Sequence, residues 1–365
     1  MDSKYFKPLN TKTEGVTKRF DLADPEERKE YFSAKAGGAI EDIKKYLAKG
    51  TFVAYLLGKK NSGKGTYTKL FMEVVGSDKA AHVSVGDVVR SVEKIFQDSE
   101  RAKEKEEVMK FLTSHYRGFI PLSEAISALE SRSQEKLLPS ELILSLLKME
   151  LDKQAGKAVF IDGFPRDLDQ VSYALFLRDL MGYRYDPDFF VFINIPESVI
   201  DERMKYRVVC PSCQTPRNTR LFATKEVGYN AEKEEFYLKC DNPDCKDKGA
   251  RMVGKEGDSA GIESIRGRLD KDDAVMDKAV GLEGVPKVFL RNSIPAGTAK
   301  ENVDNYEITP AYSYKLGSDD KSVEVVEDSW VIKDDDGVDS YSLLAPPVAV
   351  SLFRQIADIL NKFQE

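Results

Sequence analysis

Residues 51–66 read TFVAYLLGKKNSGKGT, and this stretch constrains the fold more than any other. Phe52 to Leu57 is an unbroken apolar run with a β-branched residue and two aromatics. That composition and length fit a strand buried on both faces, and Gly58 ends it. Gly58 and Gly63 frame four residues, Lys64 follows, and Gly65 separates that lysine from the Thr66 hydroxyl, a variant of the G-x-x-x-x-G-K-[ST] phosphate loop. Backbone N–H groups along Asn61, Ser62 and Gly63 would cradle phosphate oxygens. A helix starting near Lys64 adds the positive end of its dipole, Lys64 a mobile point charge, and Thr66 a hydroxyl able to reach Mg²⁺. An exposed Gly/Lys/Ser turn is the alternative. The buried-strand pattern before the loop and TYTKLFMEVV after it argue against that reading.

At 365 residues the chain can bury a substantial core and exceeds a minimal domain, so a core with inserted subdomains is expected. Lys plus Arg number 55 against 62 Asp plus Glu, a net charge of -7, so no overall basic field points to nucleic acid. No apolar run approaches the roughly 18 residues of a membrane span, and the polar MDSKYFKPLNTKTEG start has no apolar leader segment. The expectation is a cytoplasmic monomer engaging neither nucleic acid nor membrane. Cys210, Cys213, Cys240 and Cys245 form two close pairs, C-x-x-C and C-x-x-x-x-C, separated by 26 residues. In a reducing compartment that pattern favours a structural zinc ribbon, with all four positions thiolate and none open to a catalytic water. Two disulfides remain the alternative, and Asp241 or Asp244 could replace one thiolate.

Along the chain, residues 1–24 read as a loosely structured lead. Asp24-Pro25-Glu26-Glu27 then starts a helix towards Leu47, with Gly37-Gly38 as the point where an interruption is expected. His82 to Arg90 (HVSVGDVVR) reads as a strand end and a turn, and residues 91–115 as one charged amphipathic helix. A helical segment over Pro121 to Ser131 follows, then a further helix capped by Ser140. Lys157 to Asp162 reads as a second buried parallel strand, ending in the carboxylate suited to ordering Mg²⁺-bound water. Phe190 to Pro196 is a third strand, and Glu197 to Tyr206 a helix. Arg203 and Arg207, at i and i+4, are expected on one helix face, where two planar cations suit a transferring phosphoryl group.

GKKNSGKGT, HVSVGDVVR, EKLLPSELILSLLK, FIDGFPRDLDQ and FINIPESVIDERMKYR occur in the order and at about the separations of adenylate kinases of the long, lid-bearing type. The resemblance spans about residues 51–270, and DGFPR followed by Gln170 is its most specific part. It implies an α/β phosphate-loop NTPase fold, a three-layer sandwich on a five-stranded parallel sheet, with an acceptor-binding insertion and a zinc-ribbon lid. The implied division is an N-terminal helical extension over 1–50, the core over 51–205 with the acceptor arm at about 86–145, the lid over 206–262, and the remaining core with an extended C-terminal part over 263–365.

The resemblance also implies partners and roles. Gly58, Asn61, Ser62, Gly63, Lys64, Gly65 and Thr66 would hold ATP, while Asp87 and Asp162 would hold Mg²⁺ through water. Val85, Gly86, Arg90, Lys136, Leu138, Gly163, Arg166 and Gln170 would contact AMP, Gln170 reading the adenine edge. Lys64, Arg166, Arg203, Arg207 and Arg268 would stabilise the transferred phosphoryl group, giving two ADP. Val85 stands where the family has an acceptor-base threonine, and Lys255 where it has a lid arginine. These departures leave open a kinase for UMP, CMP or GMP. A binding protein that uses the ribbon to engage a partner is the alternative outside catalysis. Trp330 reads as a packed residue of the C-terminal extension, and residues 348–363 as a closing amphipathic helix whose preceding turn the resemblance places near the adenine of ATP.

Overall fold

The computed structural model describes residues 5–7, 9–131, 138–168, 170–171, 187–318 and 322–363. Lys136 lies outside them. Strands β1 (Val53–Gly58), β2 (Ala80–Ser84), β3 (Ala158–Asp162) and β4 (Asp188–Asn194) belong to the central sheet. The cysteine-bearing segment adds β5 (Arg207–Val209), β6 (Pro216–Asn218), β7 (Val227–Asn230), β8 (Glu235–Leu238) and β9 (Val253–Gly254), and β10 (Lys287–Arg291) returns to the sheet. Its order is β10-β4-β1-β3-β2, every pair parallel. This is the five-stranded parallel sheet of a phosphate-loop α/β fold.

Helices α1 (Pro25–Leu47), α2 (Lys64–Val75), α3 (Val85–Gln97), α4 (Ala102–His115), α5 (Leu122–Glu130), α6 (Ser140–Asp152), α7 (Glu197–Lys205), α8 (Arg266–Val280), α9 (Ala296–Asn302) and α10 (Ala345–Lys362) surround it. Strand alternation divides the core in two. Ala54 and Leu56 face a cluster with Tyr31, Phe71 and Phe353 of α1, α2 and α10. Val53, Tyr55 and Leu57 face the other, with Val89 of α3, Leu146 of α6 and Met276 of α8. Because both faces are covered, β1 carries no polar alternation, and that is why it reads as a solid apolar run.

Local chemistry corrects several expectations. The lead is irregular in conformation yet well packed, with Phe6, Leu9, Phe20 and Leu22 all buried. Asp24 caps α1 as expected, accepting from the Glu26 and Glu27 amides, but the interruption falls at Ala36 (φ -144°) rather than within Gly37-Gly38. The expected turn at Val85 to Asp87 is the first turn of α3, because Ser84 Oγ accepts from the Asp87 amide at 3.3 Å. The single helix over 91–115 is two: Asp98 leaves helical geometry and caps the next turn through the Glu100 amide at 2.9 Å. Ser140 is the first residue of α6, not its cap, and Pro139 precedes it. α10 starts at Ala345, with Pro346 and Pro347 in the first turn where missing N–H groups cost nothing, and it is buried along most of its length.

The C-terminal extension folds as strands β11 (Ser293–Pro295), β12 (Pro310–Leu316), β13 (Val323–Ser329), β14 (Val331–Lys333) and β15 (Asp339–Ser342), with β12 and β13 an antiparallel hairpin. Trp330 is a packed residue, in a cluster with Ile200 and Met204 of α7 and Leu221 and Ile262 of the cysteine-bearing segment. A buried polar knot joins this extension to the N-terminal part. Glu307, fully buried, accepts from the Thr11 hydroxyl (2.6 Å), the Tyr31 hydroxyl (2.5 Å) and the Asp304 amide (2.7 Å). Lys35, also buried, donates to Asp304 at 2.9 Å. Glu307→Ala strands three donors at once, so urea denaturation should show a loss of about 3 kcal/mol, and a loss below about 1 kcal/mol would contradict the knot's role.

Candidate active site

Strand β1 delivers the loop. A Cβ on Gly58 would lie 2.8 Å from Ser62 Oγ and 2.9 Å from the Ile193 carbonyl of β4, so no other residue fits where the loop folds against the sheet. Asn61 (φ 67°) and Gly63 (φ 89°) then take the left-handed conformation that turns the chain back. No side chain caps α2, which leaves its first amides pointing into the loop. Lys64 Nζ folds over the loop's own carbonyls, 2.7 Å from Gly58 O and 3.1 Å from Lys59 O, and 3.9 Å from Asp162 Oδ1. Burial lowers its pKa from the ordinary lysine value, opposed by the Asp162 charge. Asn61 Nδ2, Ser62 Oγ and His82 Nε2 are buried around this loop with no hydrogen-bond partner among the described residues. Buried polar atoms are rarely left so, and a phosphate-bearing ligand fits them.

Asp162 ends β3 in register with Leu56 of β1 and Ser84 of β2, which places its carboxylate at the carboxyl edge beside the loop. His82 Nε2 lies 3.9 Å from it. Burial lowers the His82 pKa, against the pull of Asp162 and then Asp87. Both carboxylates singled out for Mg²⁺ therefore act on one imidazole. Asp87 is exposed on the first turn of α3 and pairs with Arg90.

Val85, Gly163 and Arg166 of the expected acceptor set lie together at the same edge. Gly163 (φ 86°) brings an ideal Cβ position within 3.6 Å of Arg166 Nε and 3.7 Å of Val85 Cβ, and one on Gly86 would stand 3.3 Å from Arg90 Nη1. Gln170 is buried, its Oε1 accepting from the Arg166 amide at 2.8 Å and its Nε2 donating to Ser140 Oγ at 3.1 Å. Its amide thus ties the loop after β3 to α6. Leu138 packs with Leu142 in the cluster that covers the Tyr55 face of the sheet.

Arg203 and Arg207 do not share a helix face: α7 ends at Lys205, and Arg207 opens β5. The two still converge on the loop region by different routes. Arg203 donates to Asn61 O and Asn292 Oδ1, each at 3.4 Å, and burial lowers its pKa. Arg207 makes a two-pronged contact with Asp258, Nη2 to Oδ1 at 2.8 Å. Arg268 Nε donates to Asp272 Oδ1 at 2.8 Å, and Asp272 Oδ2 accepts the Lys60 amide at 3.0 Å. The Lys60 ammonium has a lowered pKa, first from burial and then from Arg268, Arg207 and Lys255.

Sequence reasoning passed over Lys59, Lys60 and their acidic partners. Lys59 is buried, with Nζ 2.9 Å from Glu197, 3.2 Å from Asp273 and 3.7 Å from Asp335. It ties the loop to α7, α8 and the C-terminal extension. Two lysines inside the loop were the signal, but partners more than a hundred residues away were not visible.

The four cysteine sulfurs lie within 4.8 Å of one another, with contacts across the two pairs: Cys210 to Cys245 at 3.8 Å and Cys213 to Cys240 at 3.6 Å. Four thiolates about 2.3 Å from one tetrahedral ion stand about 3.8 Å apart, whereas a disulfide needs about 2.05 Å. The group could hold one metal ion. Neither aspartate joins it: Asp241 is 2.5 Å from Arg217, and Asp244 lies outside the cluster. No helix among the described residues is long and apolar enough to cross a membrane.

No family model matches the chain. Curated relatives do. An adenylate kinase of Thermotoga petrophila is 31% identical over 233 residues, covering 62% of this chain and 84% of the relative. That of Thermotoga maritima is 30% identical over 233 residues with the same coverage, and that of Clostridium botulinum strain Loch Maree is 27% identical over 248 residues, covering 64% and 93%. With the parallel sheet, the phosphate loop and the converging cations, this likeness places the chain in the adenylate kinase family.

Proposed function

We propose that this chain is an adenylate kinase proper, transferring the terminal phosphoryl group of Mg-ATP to AMP and yielding two ADP. The observation that carries this reading is the gathering of Lys64, Arg203, Arg207 and Arg268 around one loop, with Arg166 facing it from the acceptor side. An oxygen of the acceptor phosphate attacks the terminal phosphorus, the bond to the bridging oxygen breaks, and both products leave as diphosphates. No protein nucleophile is needed. The work is alignment and neutralisation of spreading negative charge in a site shut against water.

The chain's residues divide that work. Asn61, Ser62 and the first amides of α2 cradle the donor phosphates, and Lys64 trades its contacts with the Gly58 and Lys59 carbonyls for phosphate oxygens. Arg207 arrives already oriented by Asp258, and Arg268 by Asp272, so little side-chain freedom is lost when they engage the ligand. Arg90, Gly86 and Arg166 sit where the acceptor phosphate must approach. Asp87 and Asp162 would hold Mg²⁺ through water, where it would supply further charge neutralisation on the donor phosphates. Residues 86–145 serve as the acceptor arm and 206–262 as the lid.

Val85 is the residue that bears on acceptor choice. A Cβ built on Gly163 would stand 3.7 Å from its Cβ, and it offers no hydrogen bond to a base. A panel of monophosphates tests the assignment: AMP should give the highest kcat/KM, and a clear preference for UMP, CMP or GMP would overturn it.

We assign the four-thiol group a structural zinc ion, because every candidate ligand is a sulfur and three of the four cysteines are buried. Elemental analysis should find one zinc per chain, and stripping it should lower the melting temperature of the lid. Metal-free protein with an unchanged lid transition would contradict this assignment.

A further inference from the structure

Helix α7 carries Arg203, and its own sequence leaves its ends open. Pro196 precedes it and has no side chain able to accept from the first amides. The missing acceptor comes from 138 residues further along the chain, where Asp335 Oδ1 accepts from the Glu197 amide at 2.8 Å. Beside it, Ser198 Oγ donates to the Lys333 carbonyl at 2.8 Å. At the other end, Asn218 of β6 donates to the carbonyls of Glu202 and Arg203 at 3.1 and 3.3 Å. Residues outside the helix thus hold both of its ends.

Asp335 is itself held in place. It sits in the turn between β14 and β15, which pair at Lys333 and Asp339. Buried Asp334 organises that turn, accepting from the amides of Asp336 (3.1 Å) and Val338 (2.9 Å), from Ser340 Oγ (2.9 Å) and from Arg291 Nη2 of β10 (2.8 Å). Gly337 (φ 78°) lets the chain turn back. The second Asp335 oxygen, Oδ2, lies 3.7 Å from Lys59 Nζ. Burial alone would lower the pKa of the Lys59 ammonium, but Glu197, Asp273 and Asp335 together outweigh it and raise the pKa, so the charge is kept. The Lys59 carbonyl in turn accepts from the Ser62 amide and from Lys64 Nζ, each at 3.1 Å. One carboxylate therefore reaches two cations of the donor site, Arg203 through α7 and Lys64 through Lys59.

We propose that Asp335 is a positioning residue for phosphoryl transfer: by capping α7 it sets Arg203 against the phosphate loop, and beside Lys59 it steadies the carbonyl on which Lys64 rests. The inference rests on the kinase reading above and deepens it. Asp335 lies outside residues 51–270, so a segment beyond the family resemblance takes part in aligning the donor phosphates. Without its cap the first turn of α7 frays, and a small shift of the helix displaces the guanidinium that meets Asn61 O at 3.4 Å. The acceptor side is built from α3 and the loop after β3, with Arg90 paired to Asp87 and the Arg166 amide to Gln170, so it should not feel the change.

Steady-state kinetics of the full chain with Mg-ATP and AMP test this, with rates taken per folded molecule as counted by urea denaturation. The Asp335 side chain is 39% exposed, so truncating it opens no cavity. Asp335→Ala should lower kcat about tenfold, the scale of a small misplacement of one aligning group, and leave KM for AMP within about twofold. Asp335→Asn keeps an oxygen for the Glu197 amide and should recover kcat to within about threefold. Thr11→Ala, which removes one hydrogen bond to Glu307 in the knot between lead and extension, costs comparable stability and should leave kcat unchanged. A kcat within about twofold of the unaltered protein in Asp335→Ala would overturn the proposal. So would an Asn variant as slow as the Ala one, or a Thr11→Ala variant slowed in parallel, which would mark the effect as lost stability. No transfer to AMP by the unaltered protein would overturn the kinase reading itself, whereas transfer with an unaffected Asp335→Ala would overturn only the positioning role.

Discussion

Burial of β1 on both faces is the constraint on which the rest of the molecule depends. With Phe52, Ala54 and Leu56 packed on one side and Val53, Tyr55 and Leu57 on the other, the strand has no freedom to shift register. Its end is therefore fixed against β3 and β4, and Gly58 turns where any Cβ would come within 3 Å of the Ile193 carbonyl. That fixes where the loop amides point. It also aligns Asp162 with Leu56, so the carboxylate reaches the site as a consequence of strand register.

A site crowded with cations needs internal anions when no ligand is bound. Asp258 holds Arg207, Asp272 holds both Arg268 and the Lys60 amide, and Glu197 holds Lys59 and Arg266. Each pairing sets a guanidinium or ammonium in position before phosphate arrives, which reduces the reorganisation that charge transfer would otherwise demand. The same pairs tie the phosphate loop to α7 and α8. Asp335 draws the C-terminal extension into that network through Lys59, and Trp330 adds an apolar contact to α7. The extension thus braces α7 from outside.

The phosphate loop, strands β1, β3 and β4, the four cysteines and Asp162 could be read directly from the chain, because each is specified within a few residues of itself, whereas the edge strand β10 was not. What escaped depends on distant partners or on single caps. Arg207 looked like a continuation of α7 at i+4, yet the helix ends at Lys205 and antiparallel pairing with Pro216 to Asn218 draws it into β5. The break at Asp98 is one side-chain hydrogen bond inside an otherwise unbroken charged pattern. The lead reads as loosely structured because it carries no periodicity, but Phe20 is held by Tyr31 and Tyr306 and the Leu22 carbonyl by Arg28, all in other elements. Lys59 and Lys60 were visible as residues but silent as to role.

A site that directs the phosphoryl group to a second nucleotide and not to water has a defined product stoichiometry. With Mg-ATP and AMP, counting ADP and inorganic phosphate in the same reaction should give two ADP formed per ATP consumed, with inorganic phosphate at background. Phosphate released in step with ATP loss would contradict it.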